Sequence, residues 1–284
     1  MMASLTIFAN FRINDQERLR RMKDSLQSFK DIAAQKWVVN ARGKYKWEAM
    51  FYLHEQLGSK LVPYMLESKQ GWFHDSRQML QDISTDYVLF WIEDHMSMIK
   101  PEVFSDILRE MKEREADYLI YTWFGLDLMS CFEGLDVELG EHIDVIKINK
   151  KALRVLKNNH ADHYLISCVG IFSKSLFSDV MWRGRPWLPR WPKETPFDFE
   201  KKIDDLPNIV FRHAFAKYEV FASIDDNKGS AQLMSLQARG LYPRRVVRKI
   251  NEKQREMSWA ARVWLGVCPV WARRLGRRIG YIWK

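Results

Sequence analysis

The sequence predicts an α/β protein: a mainly parallel sheet flanked by helices, followed by a basic amphipathic helical tail. Three observations predict it. Short apolar runs alternate with segments of helical periodicity over the first 122 residues, the pattern of parallel strands joined by crossover helices. One of those runs, Asp86–Met96 (DYVLFWIEDHM), passes abruptly from apolar side chains to Glu93, Asp94 and His95. Charge is also divided unevenly. Residues 239–284 hold 13 Lys/Arg against 2 Asp/Glu, whereas the other 238 residues hold 32 against 34. A nearly neutral body therefore carries a strongly basic tail, which points to an anionic surface as the tail's partner.

Taken in order, Leu5–Asn10 (LTIFAN) reads as the first strand, and Gln16–Phe29 as a helix because Leu19, Met22, Leu26 and Phe29 recur at helical spacing. Trp37–Asn40 reads as a second strand, Trp47–Leu57 as a helix stopped by Gly58, and Leu61–Leu66 as a third strand. Ser76–Ile83 is a short helix, Tyr87–Ile92 a fourth strand, Pro101–Arg114 a helix and Asp117–Thr122 a fifth strand. Beyond Phe124 the rhythm weakens. Val145–Ile148 and Tyr164–Phe172 read as strands, Lys150–Leu156 and Ser173–Val180 as helices. From Trp182 to Phe197 the chain holds Pro186, Pro189, Pro192 and Pro196 with three tryptophans, a composition that excludes regular helix or central strand and predicts a long aromatic loop. In the tail, Trp259, Ala260, Val263, Trp264 and Val267 share one helical face. Beyond Pro269, Trp271, Leu275 and Ile279 continue an i, i+4 series, with Arg262, Arg273, Arg274, Arg277 and Arg278 mostly off that line. Tryptophan on one face and arginine on the other predicts a helix lying at a membrane surface. The expected domains are residues 1–243 and the basic segment 244–284.

Composition narrows the function classes. A hydrophobic content of 47% and 12 Trp support a substantial core. No run of 18 uncharged apolar residues predicts a membrane-spanning helix. MMASLTIFANFR has neither the basic start, the long apolar stretch nor the cleavage site of a signal peptide. Cys131, Cys168 and Cys268 are widely spaced, which suggests no metal site or disulfide framework and fits a reducing cytoplasm. The expected location is the cytoplasm, peripheral to the inner face of the membrane.

Carboxylates are costly in a core, so Glu93 and Asp94 belong just past the fourth strand's end, where open α/β sheets bind ligands. Two hard oxygen ligands beside an imidazole suit Mg²⁺ or Mn²⁺ against a phosphate-bearing substrate. A plainer reading has Glu93 and Asp94 capping the helix that starts near Pro101.

The order of features resembles the GT-A-fold nucleotide-sugar glycosyltransferases, especially the large inverting family 2. The resemblance covers about residues 4–243. It is carried by Glu17-Arg18-Leu19 with Ser25-Leu26-Gln27-Ser28-Phe29, then Gly71 and Arg77, and Glu93-Asp94-His95 at a strand end. Val169-Gly170-Ile171-Phe172 and Phe197-Asp198-Phe199-Glu200 complete it. The resemblance implies a metal-dependent, inverting transfer of a sugar from a nucleoside diphosphate sugar, UDP foremost, to a hydroxyl of a glycan or lipid-linked acceptor in cell-surface polysaccharide synthesis. It implies Glu93, Asp94, His95 and also His213 as metal ligands. Asn10, Phe11, Arg12, Asn40, Arg42 and Arg77 would contact the nucleotide, and Arg239, Arg244 and Arg245 would either close over its diphosphate or begin the lipid-facing basic patch. Glu200 and then Asp198 would be the base.

Two departures from the family pattern stand out. Its Asp-X-Asp metal motif here reads Glu-Asp-His, leaving Asp94 alone, Glu93 with His95, or one group through water as modes of ligation. Its contiguous Glu-Asp is here split by Phe199. Asp198 and Glu200 share a face on a strand and diverge on a helix. The competing class is a basic-tailed nucleic-acid- or lipid-binding protein with an inactive transferase-like body. The near-neutral body offers no broad basic face for nucleic acid.

Overall fold

The computed structural model of the chain describes residues 3–120, 132–159, 164–182, 196–203, 206, 210–225 and 235–242. In chain order it has β1 (Leu5–Arg12), α1 (Gln16–Phe29), β2 (Lys36–Arg42), α2 (Lys46–Leu57), β3 (Leu61–Tyr64), α3 (Trp72–Met79), β4 (Tyr87–Phe90), β5 (His95–Ser97), α4 (Pro101–Glu113) and β6 (Tyr118–Ile120). Then come β7 (Val137–Glu138), β8 (Ile143–Ile148), α5 (Lys150–Asn158), β9 (Tyr164–Ile166), β10 (Gly170–Ser173), α6 (Lys174–Trp182), β11 (Lys201–Lys202), β12 (Phe211–Ala216) and β13 (Phe221–Ser223).

Among the described residues nine strands form one sheet in the order β3-β2-β1-β4-β10-β6-β12-β8-β7. β1, β2, β3 and β4 are mutually parallel. β10 runs against β4 and β6, and β8 against β12 and β7, so the remaining strands share one direction. The expected α/β architecture, a mainly parallel sheet flanked by helices, is present. β4 is buried along its whole length and β1 is buried up to its last residue, because both sheet faces are covered. Leu5, Ile7, Ala9 and Phe11 of β1 face a core shared with α1, α2 and α4. Phe8 faces the other core, shared with α3, α5 and α6. Asp15 caps α1 by accepting from the Arg18 N–H at 2.8 Å, and Pro101 opens α4 with its fixed φ.

The structure alters several expected elements. The helix expected over 76–83 begins four residues earlier, at Trp72, and ends in a 3₁₀ turn, Leu80–Asp82. The expected single strand 164–172 is two strands, β9 and β10. β9 pairs with β11 in a separate two-stranded sheet, and the Ser167 N–H beyond it donates to the Tyr118 hydroxyl at 2.8 Å rather than to a strand. At Gly170 the chain joins the main sheet, against the Leu119 carbonyl and the Tyr118 ring. A Cβ at Gly170 would lie 2.6 Å from both, so a larger residue would displace backbone. β12 and β13 were not expected at all. The Pro/Trp segment 183–195 and the tail, with Arg244 and Arg245, lie outside the described residues. No helix among the described residues is long and apolar enough to cross a membrane.

Candidate active site

β1 has β2 on one side and β4 on the other, so the chain connections diverge there and leave a crevice beyond the strands' carboxyl ends. The antiparallel β10 starts at that same end, with Gly170 opposite Phe90. Residues just after β1, β2 and β4 and just before β10 therefore meet around one opening.

The β1–β2 side is cationic. Side chains alternate along a strand, so Asn10 and Arg12 of β1, and Asn40 and Arg42 of β2, all point to the α3 side. Arg12 and Arg42 are direct register partners. Arg12 pairs with Glu67 at 2.9 Å, and Lys46 takes the other Glu67 oxygen at 3.3 Å. Arg18 donates to the Arg12 carbonyl at 3.0 Å and lies 3.4 Å from Glu93. Arg42 is half-buried, and no group among the described residues accepts from its buried Nε. Burial holds its pKa below the usual arginine value, with Asp75 pulling the other way. Gly43 makes this end of β2 possible. Its φ is +89°, and a Cβ there would lie 2.8 Å from the Ile13 carbonyl. The β1 and β2 ends are clamped by Ile13 N–H to Arg42 carbonyl (2.8 Å) and Tyr45 N–H to Ile13 carbonyl (2.9 Å).

The β4 side is acidic. Glu93 is buried, and burial, then the neighbouring Asp94, pushes its pKa up to about 7 against the pull of Arg18. Asp94 keeps a third of its side chain exposed, and its Oδ1 lies 2.8 Å from His95 Nδ1. Burial raises the Asp94 pKa, but the attraction and hydrogen bond of His95, with Arg21 and Arg18, outweigh it and leave it below the usual range. The backbone here is pinned on two sides. Ile224 N–H donates to the Asp94 carbonyl at 2.7 Å. Ser25 donates to the His95 carbonyl while accepting from Trp91 Nε1 at 2.7 Å. Ser223 pairs with His95 across β13–β5, and Asp225 just beyond meets the buried Arg21 at 3.0 Å.

Glu200 completes the opening from the β10 side. Its Oε1 accepts from Ser167 Oγ at 3.3 Å, and its carboxylate also accepts from the Cys168 N–H. Burial nevertheless raises its pKa above the usual glutamate value, and His95 is close enough to pull it back. Ser167 lies just before β10, so Glu200 sits at the end of β10 that pairs with the carboxyl end of β4. The side chain of Asp198, in the 3₁₀ turn Pro196–Phe199, lies outside the described residues.

Other expected site residues are placed elsewhere or committed to the fold. Asn40 Nδ2 donates to Asn10 Oδ1 and the Leu66 carbonyl, both at 3.0 Å, and Asn40 Oδ1 accepts from Leu66 N–H at 2.7 Å. Asn10 Nδ2 donates to Ser76 Oγ at 2.8 Å. These buried amides tie α3 and its approach loop to the sheet. The Phe11 ring packs edge-on to Trp91 in the core, centroids 5.3 Å apart. Arg77 donates to the Met181 carbonyl and lies between the Phe73 and Trp182 rings, joining α3 to α6. Arg239 forms a two-pronged pair with Glu219 at 2.6 and 2.9 Å. His213 corrects the expected ligand set. It is fully buried on β12, with β10 and β6 between it and β4, and stacks on Phe215 at 4.4 Å. Among the described residues no three His, Cys, Asp or Glu side chains converge as a ready-made metal cage. Conversely, Arg21, Asp225, Ser167 and Lys46 were absent from the expected site. The spacing of Arg18, Arg21 and Ser25 along one side of α1 was the available signal for the first of these.

No family model matches the chain, and no curated protein matches it. Among solved structures it is similar to residues 1–349 of S. aureus TarS, at 14% identity and a TM-score of 0.49, covering 78% of this chain and 60% of that one. It is also similar to the mannosyltransferase PcManGT from Pyrobaculum calidifontis in complex with GDP-Man and Mn²⁺. There the identity is 10% and the TM-score 0.42, covering 63% of this chain and 47% of that one. A UDP-glucose pyrophosphorylase complexed with UDP-glucose gives 11% identity and a TM-score of 0.43, covering 76% and 91%. At these values the likeness fixes neither ligand nor reaction for this chain.

Proposed function

We propose that the chain is a GT-A-type glycosyltransferase that moves a sugar from a nucleoside diphosphate sugar, UDP foremost, to a hydroxyl of a glycan or lipid-linked acceptor. What supports this reading is that Arg12 and Arg42, Asp94, and Glu200 through Ser167 all lie at the carboxyl ends of β1, β2 and β4 or at the adjoining start of β10. Guanidinium forks suit phosphate oxygens, and a half-buried arginine without a described acceptor at Nε is poised for an anion. A carboxylate of raised pKa held by Ser167 and Cys168 suits proton removal from an acceptor hydroxyl.

In the proposed reaction the acceptor oxygen attacks the anomeric carbon as the bond to the diphosphate oxygen breaks. The acceptor proton passes to Glu200, and the nucleoside diphosphate leaves with the bonding electrons. Attack from the face opposite the leaving group would invert the anomeric centre. Arg12 and Arg42 would meet the charge that builds on the diphosphate, which is where preorganised cations contribute most. Asp94 fits a divalent ion, because Mg²⁺ sites typically join one or two carboxylates to substrate phosphates, and Asp94 is part-exposed with one oxygen on His95. With Asp94 and Glu93 as its protein ligands, Mn²⁺ or Mg²⁺ would supply Lewis-acid neutralisation of the leaving diphosphate. The tail 244–284 would hold the protein at an anionic membrane surface, where a lipid-linked acceptor is concentrated.

A screen of UDP- and GDP-sugars for release of nucleoside diphosphate tests the reading. Release that falls roughly 100-fold or more in Glu200→Gln supports it, and no release above buffer with any donor and acceptor counts against it.

A further inference from the structure

Glu67 stands in the middle of the cationic rim. One of its oxygens meets Arg12 Nη2 at 2.9 Å, the other meets Lys46 Nζ at 3.3 Å, and its charge also attracts Arg42. Cations from the end of β1, the end of β2 and the first residue of α2 thus face a single carboxylate. Asp75, buried on α3, attracts Arg42 as well, but makes no ion pair with it among the described residues, and its carboxylate accepts from the Ser68 N–H at 3.2 Å. Two buried donors here, Arg42 Nε and Ser68 Oγ, have no partner among the described residues. The surroundings of Glu67 therefore hold more donors than its carboxylate and Asp75 satisfy.

The carboxylate is easily released, while the backbone that carries it is not. The side chain of Glu67 is 38% exposed, and those of Arg12 and Lys46 are 54% and 27% exposed, so water competes for both pairs and they hold weakly. On either side the chain is fixed. Leu66 bonds the Asn40 amide through both its N–H and its carbonyl, and the Ser68 N–H bonds Asp75. Glu67 swings away by rotation about its own side-chain bonds, with the loop left in place. A diphosphate brings several negative charges and acceptor oxygens, and so outcompetes one carboxylate for three cations and two unmet donors.

We infer that Lys46 joins Arg12 and Arg42 as a ligand of the donor's diphosphate, and that Glu67 is a tethered anion holding that place until the diphosphate displaces it, an assignment that rests on the reading of the crevice as a nucleoside diphosphate site. A tethered competitor lowers apparent affinity by the fraction of molecules whose site it fills. Glu67 thus discriminates against anions with too little charge to displace it, and it returns as the product diphosphate leaves. A carboxylate that merely positioned Arg12 and Lys46 for the ligand would act with the opposite sign, because its removal would weaken binding.

The test is calorimetric titration of inorganic pyrophosphate into the full chain, for wild type, Glu67→Gln, Lys46→Met and Glu48→Gln. Glu48, exposed in the first turn of α2, makes no ion pair among the described residues and controls for the loss of one negative charge nearby. Thermal melts verify that each variant is folded. Binding is expected to tighten roughly fivefold in Glu67→Gln, to weaken roughly threefold or more in Lys46→Met, and to change by less than about twofold in Glu48→Gln. Unchanged or weaker binding by Glu67→Gln, an equal gain in Glu48→Gln, unchanged binding by Lys46→Met, or no pyrophosphate binding by any of the four proteins overturns the assignment. UDP binding and release of nucleoside diphosphate from donor sugars, measured on the same samples, separate the two readings. The expected pyrophosphate pattern with neither UDP binding nor release contradicts the transferase and leaves the displacement of Glu67 standing. Release by wild type beside identical pyrophosphate affinities in wild type and Glu67→Gln overturns the tethered competitor alone.

Discussion

Arg12 and Arg42 stand directly opposite one another across the β1–β2 ladder, at the carboxyl end of both strands. Like charges in that relation repel, and Glu67 neutralises Arg12 while nothing described accepts from Arg42 Nε. The fold keeps a costly pair at the point where an anionic ligand would relieve it. Arg42→Met is therefore expected to leave stability unchanged or to raise it by about 0.5 kcal/mol. The same change is expected to weaken UDP binding roughly tenfold or more. Urea denaturation beside nucleotide titration checks both signs, and a variant that loses stability and affinity together would show the arginine to be structural.

Asn40 has the opposite character. Its amide satisfies Asn10 and both backbone groups of Leu66, so Asn40→Ala strands buried partners. A loss of about 1–3 kcal/mol in urea denaturation is expected, with nucleotide affinity falling only as far as the loop before α3 loosens.

Glu93 sets a pH dependence of stability. Its folded pKa of about 7 lies above the ordinary glutamate value of 4.5, so between those two pH values the folded state holds more protons than the unfolded. Stability is thus expected to fall as pH rises through that window. Glu93→Gln should flatten the fall, by an amount on the order of 1–2 kcal/mol. Thermal melts from pH 4.5 to 8 compare the two slopes, and parallel curves would remove Glu93 as their source.

Glu200 sets a pH dependence of activity. A base must be ionised, so the acidic limb of the rate profile should lie above the ordinary glutamate range. Ser167→Ala removes a hydrogen bond that favours the ionised form, which is expected to move that limb to higher pH while the plateau changes less. A lowered plateau with an unmoved limb would mean that Ser167 acts on packing alone.

Much of this arrangement was legible in the residues. The alternation of apolar runs and helical periods placed β1 through α4 nearly in full. The abrupt change from Trp91 to Glu93 located the acidic rim, because buried strands tolerate no such charge. What sequence could not show were contacts between distant segments. His213 sits in an apolar strand whose sheet position depends on pairing with β6 and β8, so its distance from Asp94 was invisible. Asn10 and Asn40 carry amides equally suited to a ligand or to one another, and only the pairing of β1 with β2 brings the two together. Ser167 was hidden because 164–172 reads as one continuous strand, whereas the segment divides between two sheets. Arg21 and Asp225 are 204 positions apart and meet through β13.

The central claim is that the crevice beyond β1, β2 and β4 binds a nucleoside diphosphate with a divalent ion on Asp94. Calorimetric titration of UDP and GDP, with and without Mn²⁺, against wild type and Asp94→Ala tests it most directly. Binding of at least one diphosphate, strengthened by Mn²⁺ and abolished by Asp94→Ala, is expected. No binding to either nucleotide, or binding indifferent to both Mn²⁺ and Asp94, would contradict it.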